Sequence, residues 1–460
     1  MRGRAKPVQN RINRLKRHLG ETMTLDGREI SYDEAITEVI QHCVRSANKK
    51  LQSGWQMTTN EIALSYPATY TSAQRQRLIE LAEKASLADG TQVHVSGTIA
   101  EPAAAGLDYL SRFDSDKETT VLVYDLGGGT FDLALVALYP KGRTNGDGDY
   151  YYDILTVDGL EDVGGGEFDE IMYQLIEQKL QVPLNPSHKA ALRAEAEKIK
   201  KDLTFDAYAD AEVLYNNEYL TVRVTREEFE TASRELLMRT IEATKKMFER
   251  HSNQKPETII LTGGASQMPM VKRALEEAFP EYKGDEMKHK EDKIQISNPS
   301  RAIADGAARY GTAEAMNDIA EKAEAASVVQ TRVGYDLGIR FYHSVDDESG
   351  YISTYIPAGT PIPYQAAYQN STTLHEDQRY SGFTVYEANK AHPDSEQVAE
   401  DYTEIMKVSL DHGREVPKGT RNESRLCIDK LGVLTIEARE ADHPEKPIKG
   451  TVELKNLSKS

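Results

Sequence analysis

The sequence predicts an α/β region followed by an all-β region. Helical and strand periodicities alternate up to about Ser327, and short alternating stretches separated by Gly, Pro and Asn turns follow it. At 460 residues the chain exceeds one ordinary hydrophobic core, so two or more domains are expected. The expected boundaries are 1–326 for the α/β part, 327–333 for a linker and 334–460 for a β-sandwich.

Ser31 to Glu34 reads as a capping box, with Ile36, Val39, Ile40, Cys43 and Val44 following at helical spacing. Ile62 to Tyr66 reads as a strand closed by Pro67, and Gln74 to Ala85 as a helix. Val121 to Tyr124 and Phe131 to Ala137 are apolar strands on either side of a glycine turn. Phe168, Ile171, Met172, Leu175 and Ile176 share one helical face. Thr225 and Glu228 cap a long helix running toward Arg250. Thr258 to Thr262 is a strand ending at Gly263-Gly264, and a helix starts after Pro269. In the β-part, Ile352-Thr354-Ile356, Arg425 to Asp429 and Val433 to Ala438 alternate as strands.

Hydrophobic residues make up 39% and charged residues 28%, which suits a globular chain. The net charge of −18 argues against nucleic acid as a partner, because a phosphate backbone would be repelled. Two distant cysteines, Cys43 and Cys427, give neither a disulfide framework nor a metal cluster. No apolar run reaches membrane-spanning length, and the polar start lacks an apolar signal core, so a cytoplasmic protein with no membrane partner is expected.

The strongest motif is Asp125-Leu126-Gly127-Gly128-Gly129-Thr130-Phe131-Asp132. Glycines let backbone N–H groups approach an anion closely, and Thr130 adds a hydroxyl donor. Asp125 and Asp132 bracket the turn with carboxylates suited to Mg²⁺, which keeps several waters and takes few protein ligands. The alternative is a glycine-rich hairpin with capping aspartates; the strand–turn–strand context favours phosphate binding.

This octapeptide resembles the second phosphate loop of the heat-shock protein 70 (DnaK-type) chaperone family, within the wider actin-like and sugar-kinase-like ATPase fold of two lobes. Tyr66-Pro67-Ala68-Thr69-Tyr70 with Gln74-Arg75-Gln76 resembles the segment holding the family's interdomain relay, which implies that role for Pro67 and Arg75. Ala100-Glu101-Pro102-Ala103-Ala104-Ala105 resembles a motif whose glutamate, here Glu101, lies near the metal and the nucleophilic water. Gly164-Gly165-Gly166-Glu167-Phe168-Asp169 resembles the glycine pair that closes over the nucleotide, and Asn298-Pro299 with Gly306-Ala307-Ala308 the end of the ATPase region.

Glu197, Lys200, Lys201 and Thr204 share one helical face by their spacing. Taken alone they read as a solvated Glu–Lys face. Their register resembles the family's adenosine-binding helix, which implies contact with adenine and ribose. Gly263-Gly264-Ala265-Ser266-Gln267 would form the other half, with Gln267 where the family usually has arginine and Ser300 where it usually has aspartate. Lys16, in Leu15-Lys16-Arg17-His18-Leu19-Gly20, resembles the family's catalytic lysine, whose role is electrostatic.

The resemblance implies an ATP-dependent protein-folding chaperone of the stress response, using ATP/ADP and Mg²⁺. Catalysis would rest on Lys16, Glu101, Asp125 and Thr130. It further implies a peptide-binding β-sandwich for unfolded or extended apolar polypeptides, and J-domain and nucleotide-exchange co-chaperones as partners. Leu337-Gly338-Ile339 and Ile356-Pro357 through Pro361-Ile362-Pro363 resemble the sandwich's opening strands. Ile339 and Phe383 read equally as peptide-channel walls or as sandwich core. Tyr139 to Tyr152 reads as an extended hairpin tip. Nothing before Lys16 resembles the family's first phosphate loop, so weak ATP binding and impaired hydrolysis are expected of this chain; the family's helical lid is expected to be absent after the β-part, so bound peptide is expected to dissociate fast. An actin- or sugar-kinase-like enzyme and a non-hydrolysing nucleotide-binding scaffold remain alternatives.

Overall fold

The structure, a computed structural model, describes residues 15–25, 28–112, 117–140, 150–215, 218–285, 291–297, 301–322, 327–388 and 393–451. The expectations for residues before Leu15, for the hairpin tip over 141–149 and for Asn298-Pro299-Ser300 lie outside them. The chain divides into two compact units. The first joins residues up to Tyr66, Tyr70–Thr98 and everything from Gln330; the second holds Pro67–Thr69 and Ile99–Val329.

The first unit opens with a hairpin of β1 (Thr22–Leu25) and β2 (Arg28–Ser31) leading into α1 (Tyr32–Trp55). Ser31 is the N-cap residue of α1, but its side chain makes no capping bond, so the expected capping box does not form. Ser31 also closes the ladder with Thr22. The buried stripe of α1 runs through Ile36, Ile40 and Val44, spaced at i, i+4 and i+8, whereas Val39 and Cys43 face solvent. β3 (Glu61–Tyr66) then leads to α2 (Ser72–Glu83), which starts on a full capping box of Thr71 and Gln74. β4 (His94–Ala100) pairs with β3.

The second unit begins with α3 (Glu101–Leu110) and the strands β5 (Thr119–Leu126), β6 (Phe131–Leu138) and β7 (Tyr150–Leu160). It continues through α4 (Gly165–Leu180), α5 (Pro186–Phe205), the hairpin β8 (Tyr208–Tyr215) and β9 (Glu218–Thr225), and α6 (Arg226–Arg250). It ends with β10 (Thr258–Thr262), α7 (Pro269–Ala278), β11 (Ile294–Ile296) and α8 (Ala302–Lys322). The central sheet runs β11-β10-β5-β6-β7. β5 is parallel to β10 and antiparallel to β6. Alternation along β5 and β6 sends Leu122, Tyr124, Leu133 and Leu135 into a core shared with α4 to α7. Val123 and Val136 point the other way, where a Cβ on Gly106 of α3 would meet them at 3.2 and 2.8 Å. α8 reaches α3 so closely that a Cβ on Gly306 would overlap the Ala104 carbonyl. Both faces of the sheet are therefore covered by helices, as an α/β layer requires.

The chain from Gln330 onward completes the first unit. β12 (Ser327–Arg332), which occupies the expected linker, pairs with β15 (Pro361–Ile362) through Thr331 and Arg332. One sheet of the sandwich runs in the order β14 (Tyr351–Ile356), β13 (Leu337–Phe341), β18 (Gln378–Ala388), β19 (Tyr402–Val416), with α9 (Val398–Asp401) before its last strand. The other runs β16 (Tyr364–Gln365), β20 (Arg421–Ile428), β21 (Leu434–Glu440), β22 (Ile448–Thr451), with β17 (Gln369–Thr372) also paired to β20. Leu337, Ile356, Val385, Leu426, Leu434 and Ile436 fill the space between them.

A polar chain ties the two sheets at one end. Asn422 Nδ2 donates to Ser381 Oγ at 3.0 Å, and Ser381 Oγ lies 2.9 Å from His412 Nε2. His412 Nδ1 is 2.9 Å from Glu440 Oε2, and Arg414 donates to Glu440 Oε1 at 2.5 Å. Burial pushes the Glu440 carboxyl up, but Arg414 and His412 outweigh it and hold it below its ordinary value. A depressed carboxyl contributes stability above its unfolded-state pKa and loses it as the pH falls through the folded value. Glu440→Gln should lower stability at neutral pH by about 1–3 kcal/mol in denaturant melts. The gap to the unaltered chain should close below about pH 4.

Candidate nucleotide site

The second unit builds its site around the turn between β5 and β6. Gly127 N donates to Thr130 O at 3.0 Å, closing the turn. The carbonyls of Gly127 and Gly128 accept from Gly165 N at 2.8 Å and Gly166 N at 2.9 Å, so the start of α4 docks directly on the turn. The N–H groups of Gly128 and Gly129 donate to nothing among the described residues, and Gly128 is exposed. Two adjacent free amides on a tight glycine turn form an anion-binding concavity.

Gly164 and Gly263 are required by close approach, and Gly165 is tightly placed. A Cβ on Gly164 would lie 2.5 Å from Gly129 C. On Gly165 it would lie 3.2 Å from Lys200 Nζ and 3.3 Å from Gly128 Cα. Gly263, at φ +80°, would put a Cβ 2.3 Å from Asp125 Oδ1.

Asp125 and Asp132 are directly opposite in the β5–β6 ladder and both are buried. Opposite residues share a face, with Cβ atoms about 5 Å apart. Alternation puts that face on the side of Val123 and Val136, against α3. Glu101 is the first residue of α3, 8% exposed, where the helix dipole favours a carboxylate. Asp132 is firmly held: Oδ1 accepts from Ala68 N at 2.6 Å and Oδ2 from the Thr130 hydroxyl at 2.5 Å. A hydrated Mg²⁺ fits two neighbouring buried carboxylates, since it keeps several waters and takes few protein ligands. A dehydrated protein cage does not, since no group of three or more metal-ligating side chains occurs among the described residues.

Lys200 of α5 is 7% exposed; its ammonium donates to Gly165 O at 2.8 Å and pairs with Asp169 Oδ1 at 2.6 Å. Lys200 and Thr204 line a shallow cleft with Leu203, Arg226, Phe229, Glu230 and Met268 to Met270. Glu197 and Lys201 form an exposed ion pair at 2.6 Å on the same helix. Gly264 has open space where a side chain would stand, Ala265 is buried, and Gln267 ends a single turn just before Met268 of the cleft. Sequence reasoning missed Arg226, Phe229 and Glu230. The Thr225–Glu228 capping box forms as expected and fixes where α6 starts, so these residues were within reach as its first turns.

The remaining expected residues are divided between the two units. Lys16 belongs to the first unit, exposed on a single turn over Leu15–His18. Pro67 belongs to the second unit and Arg75 to the first. Arg75 donates to Ser72 Oγ at 2.8 Å, sits 5.5 Å from the centre of the Tyr66 ring, and faces Glu387 of β18 electrostatically. Burial pushes the Glu387 carboxyl up, against Arg75 and Ser72. Ile339 and Phe383 are buried in the sandwich core at 0% and 3% exposure. No helix among the described residues is long and apolar enough to cross a membrane.

A helix-covered sheet whose glycine turn offers free amides between two buried carboxylates makes an α/β protein with a turn that can receive an anion. Residues 5–459 match the family model described as Hsp70 protein, and the chain belongs to the Hsp70 family. Membership supports a chaperone role in protein folding; nucleotide and Mg²⁺ binding, and the binding of unfolded polypeptides and co-chaperones, are properties of that family.

The geometry at Gly263 gives a direct test. Gly263→Ala forces a side chain into a left-handed backbone and against Asp125, and should cost about 1–3 kcal/mol from the backbone alone. Gly264→Ala meets open space and should leave the melting temperature within a degree or two.

Proposed function

We propose that the chain binds Mg-ATP at the glycine turn of the second unit and couples its hydrolysis to the grip of the β-sandwich on extended apolar peptide. The observation that carries this reading is the pair of free amides at Gly128 and Gly129 between Asp125 and Asp132. The β- and γ-phosphates would rest on Gly127 to Thr130 and Gly165. Asp125 and Asp132 would hold Mg²⁺ through water, and the ion would supply neutralising charge at the phosphates. Glu101, on the same face of the sheet, would accept a hydrogen bond from the attacking water, and Thr130 would help orient it. Adenine and ribose would occupy the cleft beside Lys200 and Thr204, with Glu197, Lys201, Gly263, Gly264, Ala265 and Gln267 around it. Lys16 keeps the electrostatic role that the resemblance implies, on sequence grounds alone.

The sandwich is proposed to take an extended peptide along its backbone, with side chains entering apolar pockets. Ile339 and Phe383, buried as they are, would have to be uncovered for a peptide to touch them. Arg75 is supported as a relay residue by its packing against Ser72 and its electrostatic facing of Glu387, which links α2 to β18 within the first unit. J-domain and nucleotide-exchange proteins are the proposed co-chaperones.

Asp132→Asn keeps one acceptor oxygen but loses the charge toward the hydrated metal. Calorimetry should show Mg-ATP affinity falling about tenfold or more, with affinity for ATP in EDTA nearly unchanged. An equal loss with and without Mg²⁺ would move the metal away from Asp132. Coupling is tested by fluorescence anisotropy of a labelled apolar heptapeptide. Addition of Mg-ATP should speed peptide release, while phosphate transfer to a sugar acceptor would restore the kinase-like alternative.

A further inference from the structure

Lys200 carries a buried ammonium between the glycine turn and the cleft, and its position is set by another residue. Its ammonium donates one hydrogen bond, to Gly165 O, and lies 2.6 Å from Asp169 Oδ1 as an ion pair; its other N–H donors make no hydrogen bond among the described residues. Asp169 lies on the first turn and a half of α4, the helix whose leading N–H groups dock on Gly127 and Gly128. One carboxylate thus ties the ammonium to the same helix end that shapes the turn.

We propose that Asp169 is a positioning residue for nucleotide binding: it holds Lys200 so that a remaining N–H donor faces the bound nucleotide. The inference rests on the reading of the turn and cleft as a nucleotide site. A lysine stem has four rotatable carbons and a point charge, so without an anchor its head samples many positions and orders only on binding. The 2.6 Å pair removes that freedom beforehand, which favours binding through preorganisation. The neighbouring charges facing Asp169 are Lys200, Glu197 and Lys201, all on α5. Of these, Glu197 and Lys201 are paired with each other, so Lys200 is the cation held against Asp169.

A double-mutant cycle on the full chain reads this out, with Mg-ADP as the titrant in calorimetry. Asp169→Asn and Lys200→Met should each weaken binding about tenfold. The double variant should bind no more weakly than Lys200→Met, because Asp169 acts only through the ammonium. Asp169→Glu, which keeps the charge, should lie between wild type and Asp169→Asn. Melting temperatures run in parallel, and titrations are made below the lowest of them. If Asp169→Asn does not fold, Asp169→Glu takes its place in the cycle. Unchanged or tighter binding by Asp169→Asn overturns the inference, and so do losses that add in the double variant, which would mark a purely structural role. A wild-type chain that takes up no Mg-ADP overturns the nucleotide reading, and the inference with it.

Discussion

The second unit depends on how closely backbone can approach backbone at one turn. Gly127 to Gly129 must lie against the start of α4, and that is possible only because Gly164 carries no side chain, with Gly165 also close to Gly128. The same condition recurs at Gly263, where Asp125 occupies the space a Cβ would need. Once these contacts form, other features follow. The α4 amides satisfy the turn's carbonyls, the turn's own amides at Gly128 and Gly129 are left for an anion, and Lys200 is drawn onto Gly165. A single added methyl group at Gly164 or Gly263 would force these elements apart, so stability and the proposed phosphate recognition share one geometric requirement.

The carboxylates express a second requirement, that buried charge be partnered. Asp132 is fixed by the Ala68 amide and the Thr130 hydroxyl, and Asp169 by Lys200. In the first unit, Glu440 and Glu387 are answered by Arg414 with His412 and by Arg75 with Ser72. Each such pair joins segments far apart in sequence, which helps fix one packing arrangement where apolar burial alone would tolerate several.

Much of the fold was legible in the sequence because strand and helix periods are local. The glycine turn, its flanking strands, the capping box at Thr225 and Glu228, and the strand Thr258–Thr262 all lie where the residues place them. The Ser31 capping box fails although the residues are right, because Ser31 also ends a β-ladder and its side chain is not turned onto the helix. On α1, periodicity made Val39 and Cys43 candidates for the buried face, yet the apolar residues of that helix that join the hydrophobic clusters are Ile36, Ile40 and Val44. The site was legible where consecutive residues make it, from Asp125 to Asp132. Asp169, Arg226 and Glu230 were not singled out, because their importance comes from pairing across helices that no local spacing reveals. Nor did the sequence show that residues before Tyr66 and after Gln330 share one compact unit, which depends on contacts hundreds of residues apart.

The central claim is that the free amides of the glycine turn receive the phosphates of a magnesium-bound nucleotide. It is tested most directly by glycine-selective ¹⁵N labelling and amide NMR of the full chain, titrated with Mg-ADP and separately with adenosine. The account predicts that the Gly128 and Gly129 resonances shift strongly with Mg-ADP and hardly at all with adenosine, which lacks the phosphates. Shifts of Gly128 and Gly129 that are the same for both ligands, or absent while Mg-ADP is demonstrably bound, would contradict it.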